Sequence, residues 1–102
     1  QRERRDQVGL RHYARRTLEA TFDWDPATTV GTDHVAGVGA ALWCETVRDV
    51  DDLTFLLLPR LAGTAEKAWG PAGAVTWPEH RDALARHTRL WEQDGLIFFT
   101  AA

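Results

Sequence analysis

Residues 35–43 read Val35-Ala36-Gly37-Val38-Gly39-Ala40-Ala41-Leu42-Trp43, a run without a charge and with small residues at every second or third place. A short, continuously apolar run of this kind predicts a parallel strand covered on both faces, better than it predicts an amphipathic helix. Cys44, Glu45 and Thr46 then fall at its C-terminal end. One such strand cannot form a sheet by itself. The chain has 102 residues, and the only other strand-like stretch is Leu96-Ile97-Phe98-Phe99-Thr100 at its end. The expectation is an α/β fold of which this chain is one part.

The flanking residues supply the helices. Residues 14–22 predict a short helix with Leu18 and Phe22 four apart on one face. Asp23-Trp24-Asp25-Pro26 predicts a turn, since proline drives the residue before it out of the α region, and residues 27–34 continue as a loop. Asp49, Asp51 and Asp52 suit the first turn of a helix, where the dipole favours carboxylates. That helix runs to Gly70 with Leu53, Leu56, Leu57, Leu61 and Ala65 as its apolar face, and Pro59 predicts a kink or break near Leu56. Thr76-Trp77-Pro78-Glu79 predicts a side-chain-capped start for a last helix, which Gly95 ends. The units are then 1–34 (loop and short helix), 35–70 (last strand plus helix) and 71–102 (terminal helix and tail).

Composition removes several function classes. The net charge is −3, so the chain as a whole does not advertise nucleic-acid binding. The N-terminal 16 residues hold six arginines against Glu3 and Asp6, which reads as a solvated segment before it reads as an arm contacting another chain. No apolar run approaches the roughly 20 residues of a membrane helix, and the start shows no leader-like apolar core. Cys44 is the sole cysteine, which excludes an internal disulfide and reads as a small packing residue. His12, His34, His80 and His87 form no ligand spacing, so neither a metal nor a cofactor is expected. Eleven arginines against Lys67 alone, with abundant alanine, suggest GC-biased coding.

Five tryptophans are the unusual count. Trp69, Trp77 and Trp91 lie on or beside helices and read as core. Trp43 differs because Glu45 stands two residues on, which on a strand puts both on one face. An indole can cover the C–H side of a pyranose ring, and a carboxylate beside it can accept from sugar hydroxyls. The same pair also reads as a core tryptophan and a helix-capping glutamate, and on spacing alone that role is the commoner. Asp23 and Asp25, around Trp24, invite an acid/base reading, but aspartates in such a turn more often satisfy backbone donors.

Residues 38–69, VGAALWCETVRDVDDLTFLLLPRLAGTAEKAW, carry a more specific signal. Leu42, Trp43, Glu45, Pro59, Arg60, Leu61, Ala65, Glu66 and Trp69 fall in register with the C-terminal end of glycoside hydrolase family 20, which the sequence resembles over about three quarters of its length. The resemblance implies the last strands and helices of a (β/α)₈ TIM barrel of a β-N-acetylhexosaminidase. The implied substrate is a glycan ending in N-acetylglucosamine or N-acetylgalactosamine, and the implied partner is the remainder of the barrel. It implies that Trp43 walls the pocket and Glu45 holds outer hydroxyls. It also implies substrate-assisted chemistry, an exception to the two-carboxylate scheme, with an Asp-Glu pair on a middle strand. No Asp-Glu dipeptide occurs in this sequence, so that pair is expected upstream of Gln1. Where family members carry a tryptophan after Gly-Leu, Gly9-Leu10 is followed by Arg11, His12 and Tyr13; Tyr13 or His12 then supplies that wall, or the pocket differs. The alternative from another class is a small carbohydrate-binding or protein-interaction module without catalysis.

Overall fold

A computed structural model describes residues 16–31, 34–70 and 73–100. Five helices follow in order: α1 (Leu18–Phe22), α2 (Pro26–Val30), α3 (Val50–Leu57), α4 (Arg60–Trp69) and α5 (Trp77–Gln93). Among the described residues there is no strand.

Each helix begins and ends for local reasons. Thr17 accepts from the Ala20 N–H at 3.1 Å and so starts α1 at Leu18, later than the apolar spacing alone suggested. Asp49 caps α3 by accepting from the Asp52 N–H at 2.8 Å. The break expected near Leu56 falls at Leu58 and Pro59, where the chain turns extended before α4. At the end of α5, Gly95 adopts φ +72°. Its N–H reaches the Glu92 carbonyl at 3.1 Å, and the Leu96 N–H reaches the Trp91 carbonyl at 2.9 Å. These paired bonds close the helix in the manner that favours glycine.

Several expectations need correction. Residues 26–30 form α2 and not a loop: the proline that ends one helix has the φ suited to the first position of the next. The Asp25 backbone carbonyl receives both the Thr28 N–H (3.2 Å) and its hydroxyl (2.8 Å) at the start of α2. Thr76 stands at the N-cap of α5 but makes no side-chain capping bond. The tail 96–100 is not a strand. It lies along the helices, with the Phe99 N–H on the Leu58 carbonyl at 3.1 Å.

The expected strand 35–43 is irregular and mostly exposed, with only Val35, Val38 and Leu42 half-buried. A strand's backbone donors and acceptors are satisfied by its neighbours, and the described residues supply none.

The packing has two centres. In the first, Phe22 of α1 stacks on His80 of α5 at 4.3 Å between ring centroids, and Trp77 lies 5.8 Å from Phe22. Lys67 of α4 places its ammonium 4.2 Å from the Phe22 ring centroid. Gly63 is buried beneath them; a Cβ there would meet Phe22 at 3.5 Å and His80 Nε2 at 3.6 Å, so α1 and α5 approach α4 closely. In the second, Phe55 of α3 meets Phe99 edge-on at 5.9 Å, and Trp91 meets Phe98 edge-on at 5.4 Å. Arg60 joins the two. It donates to the Arg16 carbonyl (3.0 Å) and the Thr21 hydroxyl (3.2 Å), and its guanidinium lies 5.6 Å from the Phe99 ring centroid.

The buried side of α3 and α4 is Asp52, Phe55, Pro59 and Gly63, not the leucine face expected from spacing. Leu53, Leu56 and Leu57 are half-buried, and Leu61 and Ala65 are exposed. Trp69, expected in the core, is 91% exposed. Trp77 and Trp91 are half-buried and do pack as expected.

Burial pushes the His80 imidazole below its ordinary value of 6.5; Glu66 opposes the shift and Lys67 adds to it. The folded form therefore binds fewer protons than the unfolded chain once the pH falls below about 6.5. Stability is full above that value and declines as the pH drops toward the lowered folded one. Urea midpoints should fall from about pH 7.5 to about pH 5.5, and His80→Phe should remove part of that slope. An unchanged slope in the variant would show that other groups set it.

Candidate functional site

Trp43 ends the irregular segment 35–43, and α3 follows after a turn. In that turn the Val47 N–H donates to the Cys44 carbonyl at 3.1 Å. Trp43 is 73% exposed, and Glu45 is exposed within the turn. Glu45 is thus not on a strand with Trp43, so strand alternation does not explain their pairing. They stand two residues apart in the chain, on either side of Cys44, where the turn begins. Cys44 is exposed rather than packed, with its Sγ 3.6 Å from the Leu42 carbonyl.

The chain leaving the turn is pinned. Asp52, with no exposed surface, accepts through Oδ2 from the Arg48 N–H at 3.2 Å and from Arg48 Nε at 3.0 Å. The hydrogen bond to Asp52, and then its charge, hold the Arg48 guanidinium more firmly protonated. The sequence reading placed Asp52 in the helix's first turn and missed this role. The spacing Arg48 to Asp52, i to i+4, was the available signal.

The arrangement offers a flat apolar face and an anionic acceptor, both open to solvent. Such a pair can bind a sugar ring; it has no positioned acid, base or nucleophile pair. Asp23 is exposed and Asp25 half-buried in their turn, apart in the chain from this region. No group of three or more potential metal ligands occurs among the described residues. No helix among them is long and apolar enough to cross a membrane. Tyr13 and His12, the other candidates for the pocket wall, lie outside the described residues. A separate crevice between α1, α4 and α5, lined by Phe22, Arg60, Gly63 and His80, has room for about one water, too little for a sugar.

Comparison with known proteins places the chain in a family. Residues 2–72 match the family described as glycosyl hydrolase family 20, catalytic domain. A β-N-acetylhexosaminidase of Cellulomonas fimi is 37% identical over 92 residues, which is 87% of this chain and 18% of that protein. The family 20 β-N-acetylhexosaminidase structure of Streptomyces coelicolor A3(2) superposes with a TM-score of 0.85 at 35% identity, over 91% of this chain and 19% of that one. The β-hexosaminidase of Streptomyces plicatus, solved as a mutant with its product GlcNAc, superposes equally well at 36% identity, over 91% of this chain and 19% of that one. The chain thus spans about a fifth of the length of the relatives it matches. Over most of its residues, in sequence and in the placement of its helices, the chain belongs to glycoside hydrolase family 20.

Proposed function

We propose that this chain is the C-terminal segment of a (β/α)₈ barrel that removes terminal N-acetylhexosamine residues from glycans, and that it binds the sugar without supplying the acid. The observation that carries the reading is the open Trp43 indole followed by Glu45 in the turn before α3, inside the stretch that matches the catalytic domain. In a barrel, loops after the strands build the site, and residues 44–48 occupy such a loop if 35–43 is the last strand. The exposed Trp69 and the unladdered segment 35–43 support a missing neighbour, the rest of the barrel, over a self-sufficient binding module.

In this proposal Trp43 covers the apolar side of the terminal sugar and Glu45 accepts from its outer hydroxyls. Tyr13 or His12 completes the aromatic wall. The acetamido oxygen of the substrate attacks the anomeric carbon as the glycosidic bond breaks. The leaving oxygen takes a proton from an acid on another strand, and water then opens the cyclic intermediate with retention.

The full-length protein carrying this segment should release chromophore from an aryl N-acetylglucosaminide or N-acetylgalactosaminide. The 102-residue chain alone should release none. Turnover by the chain alone would overturn the division of labour, and inactivity of the full-length protein on both substrates would overturn the activity.

A further inference from the structure

Asp52 is a fully enclosed carboxylate, and α3 does not need it as a cap. Asp49 already accepts the Asp52 N–H, at 2.8 Å. Taking a carboxylate out of water is costly unless it is paired, so an apolar residue at 52 would complete the same helical turn at lower cost. What an apolar residue could not do is hold Arg48. Oδ2 takes both the backbone N–H and Nε of Arg48, at 3.2 and 3.0 Å. Arg48 follows Glu45 by three residues. The turn between them is closed by the Val47 to Cys44 bond at 3.1 Å. Both sides of Glu45 are therefore tied by backbone bonds while its own side chain stays exposed.

We propose that Asp52 is a positioning residue which, acting through Arg48, fixes the turn that aims Glu45 at the sugar. The proposal rests on the reading of Glu45 as a sugar contact. Removing the Arg48–Asp52 tie leaves Glu45 chemically intact but spread over more backbone geometries, which weakens substrate binding more than the chemical step.

The test is a double-mutant cycle in the full-length protein on an aryl N-acetylglucosaminide. Glu45→Gln should raise KM about tenfold and Asp52→Asn about fivefold, with kcat within about twofold for the latter. The double variant should stay close to Glu45→Gln alone, because both changes remove one interaction. Multiplicative effects in the double variant overturn the proposal, as does a fall in kcat at unchanged KM for Asp52→Asn. If Glu45→Gln leaves KM unchanged, the sugar-contact reading itself fails, a result distinct from the first two. Should Asp52→Asn not fold, Arg48→Gln carries the same cycle. The Arg48 side chain is 62% exposed and its backbone N–H still donates to Asp52 in that variant, so multiplicativity there is equally decisive.

Discussion

Phe22→Ala should destabilise the protein by about 3–5 kcal/mol, measured as the shift in urea unfolding of the full-length protein. Phe22 is 4% exposed and is the point at which three helices meet. Its ring stacks on His80, faces Trp77, receives the Lys67 ammonium and lies over Gly63. Gly63 has no side chain to move into the space left by alanine. The helices would have to shift to close it, and Arg60 opposes that shift by holding the Arg16 carbonyl and Thr21 hydroxyl beside α1. Phe22→Leu should recover much of the loss, since it restores volume without the stack. A loss under about 1 kcal/mol in the alanine variant would show that this cluster relaxes freely.

Trp43→Ala should lower kcat/KM of the full-length protein on an aryl N-acetylglucosaminide by roughly two orders of magnitude. An indole covering one side of a pyranose removes on the order of 100 Å² of apolar surface from water, about 2.5 kcal/mol at 25 cal/mol per Å². That energy corresponds to roughly 70-fold in binding. Trp43→Phe should restore a substantial part, because a smaller ring still covers the sugar. The same series separates a ligand contact from a core residue. A binding tryptophan leaves the thermal midpoint of the ligand-free protein nearly unchanged on truncation; a midpoint many degrees lower would assign Trp43 to packing against the rest of the barrel.

How much could be read in advance differed by element. α3, α4 and α5 were legible because their start and stop signals are local: Asp49 before α3, Pro59 between α3 and α4, Gly95 after α5. α2 was missed because one proline carries two meanings. Pro26 can end the helix before it or start a helix of its own, and only packing decides which matters. The candidate pair Trp43 and Glu45 rests on residue type and on strand spacing, and the structure does not have that strand geometry. Side-chain alternation holds on a strand, and Glu45 is in a turn. The Asp52 tie left no mark in hydropathy, since burial of a carboxylate runs against the average pattern.

The amino-acid sequence by itself determined where the longer helices begin and end, and that the chain holds no internal disulfide. It also determined the family, through the spacing from Leu42 to Trp69. Only the tertiary structure decided which faces are buried. Phe22, Gly63 and His80 lie far apart in the chain, and nothing in local periodicity distinguishes a glycine beneath two rings from one in solvent. For Asp52 the bonds to Arg48 are local, but the complete burial of its carboxylate is not read from that spacing. Local signals set helices because their bonds close within four residues; a core is set by contacts that no local window contains.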